Sequence, residues 1–183
     1  MADIVVREVR PEDKAAWRDM RAALYGEDPS LLAEVEGYFA ADPMIARAFI
    51  AEDGGPIANP AKVEDFGDKD LLQYWPGANP LRRSDSTSPG CALGFVELSL
   101  RNYAEGCASS PVPYVEGLYV AESTRRRNVG RLLMSAAGDW AKASGFTEMA
   151  SDTQIENEVS LGAHHAYGFT EVERIACLRK ALD

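Results

Sequence analysis

The stretch from Val112 to Met134 leaves this chain few choices of fold. The apolar, β-branched and aromatic run from Val112 to Ala121 reads as a strand, a polar basic loop follows, and an apolar pattern of helical period begins at Val129. After Val129 the residues Leu132, Leu133, Ala136, Ala137, Trp140 and Ala141 fall on one face of a helix. The loop and first turn carry Arg125, Arg126, Arg127 and Arg131 beside backbone N–H groups that no helical carbonyl can satisfy. Cations are normally disfavoured at a helix start, so arginines gathered there call for an anionic guest. A diphosphate fits; a solvated basic turn is the plain alternative.

The 183 residues suffice for one domain with a sizeable core, or one domain carrying an insertion. A formal charge of −10 argues against a nucleic-acid partner and suits a cationic ligand, although solubility alone would also be served. Cys91, Cys107 and Cys177 show no metal-ligand spacing, and their odd number makes no disulfide framework, so a reducing cytoplasm is expected. No basic-then-apolar leader and no long uninterrupted apolar run suggests export or a membrane partner.

Taken in order, Ile4–Val9 reads as a first strand, and Pro11, Glu12 and Asp13 open a helix to about Leu24, with Trp17, Met20, Leu24, Ala16 and Ala23 inward. A second helix is expected from Ser30, as cap, through Ala41, with Glu34 and Glu36 outward, and a second strand from Ala46 to Ala51. Residues 57–90 change character, with Asn-Pro and Pro-Gly dipeptides and little periodicity, and read as a long insertion. A third strand, Ala92–Leu100, should pair with Arg47–Ala51 across it. Beyond the helix that starts at Val129, Gly145 breaks the chain, Phe146–Ser151 reads as a fifth strand, Ile155 to about Tyr167 as a helix closed by Gly168, and Thr170–Arg179 as a last strand. No second domain boundary is found, so residues 1–183 read as a single domain.

The loop Arg125-Arg-Arg-Asn-Val-Gly130 resembles the acetyl-CoA pyrophosphate loop of the GNAT N-acetyltransferase superfamily, Gln/Arg-x-x-Gly-x-Gly/Ala. Arg125 and Gly130 match it. Asn128 replaces the first glycine, a substitution that a left-handed backbone tolerates. Further segments, Cys107-x-Ser-Ser-Pro111, Glu116-Gly-Leu-Tyr-Val120, Met149-Ala-Ser-Asp-Thr153, Glu156-Asn157, Gly168-Phe169 and Glu173-Arg174, are together similar to the aminoglycoside 6′-N-acetyltransferases. The resemblance runs from Arg10 onward, except for the insertion. It implies a mixed α/β (α+β) fold of GNAT type, with a mostly antiparallel central sheet flanked by helices and the insertion between strands 2 and 3. It also implies acetyl-CoA as co-substrate, no metal, and a homodimer. The implied reaction is direct attack of an aminoglycoside 6′-amine on the thioester, which confers antibiotic resistance.

By position, the resemblance makes Glu116 and Asp152 carboxylates of the sugar pocket and candidates for catalysis, with Glu173 a third acid and Tyr25 and Tyr103 aromatic walls. It assigns the backbone of Leu118, Tyr119 and Val120 to pantetheine and the thioester carbonyl. Arg125, Arg126, Arg127, Asn128, Val129, Gly130 and Arg131 fall to the pyrophosphate, and Asn157 to the pantetheine arm. His164 stands where many members carry a tyrosine that protonates the departing thiolate.

The chemistry agrees with these residue types. An alkyl ammonium with a pKa near 10 is neutral in only about one molecule in a thousand at pH 7, so a base must take its proton. Surplus carboxylates hold the remaining ammonium groups. Glu116 interrupts an apolar run, where an unpaired acid would be costly. Asp152 could equally cap a helix. Two other readings remain: acetylation of another small polyamine or peptide amine, and a binding module for acetyl-CoA or aminoglycoside without turnover.

Overall fold

A computed structural model describes residues 3–41, 46–54 and 91–182. Their strands form one five-stranded sheet in the order β1-β2-β3-β4-β5: Asp3–Glu8, Ala46–Gly54, Ala92–Arg101, Val112–Val120 and Ala150–Ser151. The first four pair antiparallel and β5 joins β4 in parallel. Helices α1 (Lys14–Tyr25) and α2 (Leu31–Ala40) lie between β1 and β2 in the chain, α3 (Val129–Ala143) between β4 and β5, and α4 (Glu158–Ala166) after β5. The expected pairing of Arg47–Ala51 with β3 is present. The insertion falls outside the described residues.

Alternation in the strands loads both faces of the sheet. Ala48 and Ile50 of β2 and Phe95 of β3 turn to α1 and α2, where they meet Trp17, Met20 and Val35. Phe49 and Ala51 turn the other way, onto Leu133, Ala137 and Trp140 of α3. The apolar face read for α3 is buried at Val129, Leu133, Ala136, Ala137, Trp140 and Ala141, with Leu132 at its margin. Gly145, at φ 86°, ends α3: its N–H donates to the Lys142 carbonyl and that of Phe146 to the Ala141 carbonyl, which lays Phe146 beside Trp140. In α1, Trp17 and Met20 are buried as expected, but Ala23 and Leu24 are exposed.

One irregularity in β4 prepares the site. Glu97 of β3 pairs with Gly117 and the next residue, Leu98, with Val115, so Glu116 is an extra residue on its strand. Such a bulge reverses the facing of everything beyond it. Val115 and Leu118 therefore both reach the α3 side, while Tyr119 stacks on Phe95 on the other.

Four expectations are corrected. The fifth strand is only Ala150–Ser151, because β4 offers it just Tyr114 and Val115 as partners. The helix expected from Ile155 begins at Glu158, where the Asn157 side chain accepts the Ser160 N–H at 3.1 Å, so Asp152 is not its cap. Thr170–Arg179 forms no strand: it is exposed throughout, with Leu178 95% exposed, since a strand-like pattern supplies no edge to pair with. Ser30 also caps nothing; its hydroxyl donates to Glu34.

Candidate active site

The cationic end of the site begins where β4 runs into a short 3-10 turn, Glu122–Thr124, anchored by the Thr124 hydroxyl on the Ala121 carbonyl at 2.9 Å. The chain then enters α3 through two left-handed residues, Arg126 at φ 64° and Asn128 at φ 69°. This is the conformation expected of Asn128. The first helical bond of α3 is Leu132 N–H to the Asn128 carbonyl, so the amides of Val129, Gly130 and Arg131 have no helical acceptor. Arg125, Arg126 and Arg131 project around them, exposed. Arg127 is engaged elsewhere, on Asp53 at 2.8 Å. The absence of a side chain at Gly130 makes room for the Tyr167 hydroxyl, which would have to shift for a Cβ there.

Beside this turn, β4 and β5 part. Their ladder ends at Val115 and Ser151, so from Glu116 to Val120 the edge of β4 away from β3 carries no strand partner among the described residues. The backbone of Leu118, Tyr119 and Val120 is available there to an extended ligand.

The acidic end lies on the α1 side, where the bulge turns Glu116. Its carboxylate accepts from Arg101 Nε at 2.9 Å and Nη2 at 2.5 Å, and from the Ser99 hydroxyl. Burial alone would raise the Glu116 pKa, but the Arg101 and Ser99 bonds outweigh it and hold it below the usual carboxylate range. The Arg101 guanidinium lies over the Tyr114 ring, 3.4 Å from its centroid. Asp152, the residue after β5, acts on the same groups. Its charge helps raise Arg101, and together with burial, the larger cause, it pushes the Tyr114 phenol up to about 12. Glu116 and Asp152 each directly follow a member of the last β4–β5 pair, Val115 and Ser151.

Beside Glu116 lies Glu97, largely buried. It accepts the Tyr25 hydroxyl at 2.7 Å on one oxygen and has Arg21 Nε 3.3 Å from the other. Burial drives its pKa up, with partial relief from Arg21 and Tyr25. The Tyr25 hydroxyl also lies 3.1 Å from the Glu116 carbonyl, the group that the bulge takes out of the ladder. Gly117 leaves the room for this: a Cβ there would overlap the Tyr25 oxygen. The cleft, about 630 Å³, is lined by Tyr25, Arg21, Glu97, Ser99 and Glu116 among others.

His164 is set at the fork of the strands. Its Nδ1 lies 2.8 Å from the Ser160 carbonyl, which can only accept, so Nδ1 carries a proton. Nε2 faces the Ser151 hydroxyl at 2.9 Å. A neutral His164 therefore accepts from Ser151, and only its imidazolium could donate.

Of the residues singled out by sequence, Glu116 and Tyr25 line one cleft with Glu97, Asp152 directly follows β5, and His164 meets β5 at Ser151. Tyr103 is 69% exposed on the loop before β4. Glu173 is exposed on the segment after α4, and no hydrogen bond or ion pair among the described residues joins it to the acids. Sequence reasoning missed Glu97, Ser99 and Arg101. The available signal was three polar residues at alternate positions of an otherwise apolar strand, which is one face of β3.

Comparison with known proteins places the fold in a family. Residues 58–169 match the acetyltransferase (GNAT) family. The aminoglycoside N(6')-acetyltransferase type 1 of Klebsiella aerogenes is 40% identical over 97% of this chain and 97% of its own length. That of Stenotrophomonas maltophilia is 29% identical over 97% of this chain and 94% of its own. Among solved structures, AAC(6')-Iy in complex with the bisubstrate analogue CoA-S-monomethyl-acetylneamine has a TM-score of 0.73 and 31% identity, covering 98% of this chain and 99% of that one. The chain belongs to the GNAT family of acetyltransferases. It is an acetyl-CoA-dependent N-acetyltransferase, similar along its whole length to enzymes named for aminoglycoside N(6')-acetylation.

The residues present fit acetyl-CoA. Three free amides and three exposed arginines suit a diphosphate, and the open edge of β4 suits an amide-bearing arm. Among the described residues no helix is long and apolar enough to cross a membrane.

Proposed function

We propose that the protein acetylates the 6′-amine of aminoglycoside antibiotics and so confers resistance to them, acting in the cytoplasm as a homodimer. One observation carries this reading: two carboxylates, Glu116 and Asp152, directly follow Val115 and Ser151, the last pair of the β4–β5 ladder, where the edge of β4 opens. Bound acetyl-CoA supplies the activated acetyl group. Arg125, Arg126 and Arg131 with the first amides of α3 hold its diphosphate, and the Leu118–Val120 edge aligns its arm, an amide there stabilising charge on the thioester oxygen. Asp152 takes the proton of the attacking ammonium, directly or through water. Glu116 holds a second ammonium group, and Tyr25 and Tyr103 flank the sugar. His164, as imidazolium, returns a proton to the thiolate through the Ser151 hydroxyl. The dimer is supported by Val172, Ile175, Leu178 and Leu182, apolar and exposed on the segment after α4.

The test is thiol release from acetyl-CoA in the presence of kanamycin or tobramycin, with the modified nitrogen located by NMR. Release above background with 6′-acetylated product is expected. A folded protein that releases none, or that acetylates only peptides or simple polyamines, refutes the substrate assignment. Light scattering reads the dimer: twice the chain mass is expected, and the mass of one chain refutes it.

A further inference from the structure

Glu116 is not an open anionic seat. Its Oε1 already accepts from both Ser99 and Arg101 Nε, and its Oε2 from Arg101 Nη2. Since a carboxylate oxygen offers about two acceptor positions, Oε1 is full. The guanidinium that fills the seat has the surroundings a bound ammonium would want: a bidentate carboxylate, an aromatic face and a second acid, Asp152, within electrostatic reach. The seat is nevertheless open to solvent, with the Arg101 side chain 42% exposed. Solvent screens the pair on that side, and an incoming cation that finds the same carboxylate and ring can replace the guanidinium.

We propose that Arg101 is a specificity-determining residue, an internal cation that occupies the Glu116 seat and that an ammonium group of a polycationic substrate must displace. This rests on the aminoglycoside reading above. A ligand bringing only the reacting amine leaves the Arg101–Glu116 pair intact and gains nothing from Glu116. A ligand bringing a second ammonium exchanges one cation for another there, and its apparent affinity is lowered by the fraction of time that Arg101 holds the seat. Arg101 then recaptures Glu116 as the product leaves, so it weakens product binding as well.

The experiment compares the wild-type protein with Arg101→Gln and Arg101→Lys in steady-state acetylation of kanamycin A and of methyl 6-amino-6-deoxyglucoside, a single-amine probe. Arg101→Gln should lower KM for kanamycin about threefold, the scale of one exposed ion pair. The effect should fall on KM more than on kcat, and inhibition by 6′-N-acetylkanamycin should tighten. KM for the single-amine probe should not fall. Arg101→Lys, which keeps the charge but loses the fork and the stacking, should lie between, and it decides the matter if the Gln variant does not fold. An unchanged or raised KM for kanamycin in the folded variants would overturn the proposal, since Arg101 would then merely orient Glu116. An equal fall for both substrates would overturn it too. If wild-type protein acetylates kanamycin and only the KM shift is missing, this inference fails alone. If wild-type protein does not turn kanamycin over, the proposed function fails, and calorimetric titration of kanamycin into wild-type and Arg101→Gln protein still reads the seat: tighter binding by the variant supports it, equal or weaker binding overturns it.

Discussion

The contact between Gly117, Tyr25 and Glu97 makes a quantitative claim through Gly117→Ala. Gly117 has no unusual φ, so a methyl group there costs nothing in backbone strain and should gain about 0.5 kcal/mol of strand preference. Its cost is steric. The new Cβ overlaps the Tyr25 hydroxyl and lies 3.1 Å from Tyr25 Cζ and 3.2 Å from Glu97 Oε1. The ring must therefore withdraw, losing the 2.7 Å bond to Glu97 and the 3.1 Å approach to the Glu116 carbonyl. A bond to a charged, largely buried acceptor contributes about 1.5–3 kcal/mol, so the net loss is about 2 kcal/mol, or about 4–8 °C in Tm at this chain length. Tyr25→Phe removes the same bonds without the clash and should cost about the same. In that background the overlapping atom is gone, so adding Gly117→Ala should cost less than about 0.5 kcal/mol. Urea unfolding of the wild type, both single variants and the double variant closes the cycle. A coupling of about 1.5–2 kcal/mol is expected. Additive effects within about 0.5 kcal/mol would show that Tyr25 does not hold the bulge through its hydroxyl.

Other perturbations test the rest of the molecule. Asp13, 3% exposed, accepts from Arg7 at 2.6 and 2.8 Å and from the Arg10 amide at 2.7 Å. Burial opposes its ionisation, but these partners win and lower its pKa. Its contribution is therefore full above the unfolded value of about 4 and is lost as pH falls through the lower folded one. Asp13→Asn should cost about 3 kcal/mol near pH 7, by urea midpoints, and the variant should lose less stability than the wild type on acidification. Asn128→Gly should leave acetyl-CoA affinity unchanged by calorimetry, because φ 69° suits glycine, whereas Asn128→Val should destabilise by about 1–2 kcal/mol. Asp152→Asn should lower kcat about 100-fold or more with acetyl-CoA affinity unchanged, because the carboxylate faces the amine and not the diphosphate. Wild-type turnover in that variant would remove Asp152 from the chemistry.

Patterns confined to one element were legible in the letters. The α3 face, the left-handed Asn128 and the break at Gly145 follow from local sterics and a 3.6-residue period, and each is where the sequence places it. The order of strands and helices was readable too, because apolar periodicity switches between 2 and 3.6 along the chain. Patterns that need a partner were misread. Thr170–Arg179 has strand-like residues but joins no strand among the described residues, and Phe146–Met149 finds no ladder.

The sequence by itself determined that there is a strand, an arginine turn and an amphipathic helix, since neighbours within a few residues set φ, ψ and the helical face. It also named Glu116 as an acid out of place in an apolar run. Only the tertiary structure decided what that acid does. The bulge opposite Glu97 and Leu98 turns Glu116 to the α1 side, and there it meets Ser99 and Arg101, residues of a different strand. Which side chain neutralises which charge depends on strand register, and register is set by packing across the whole sheet.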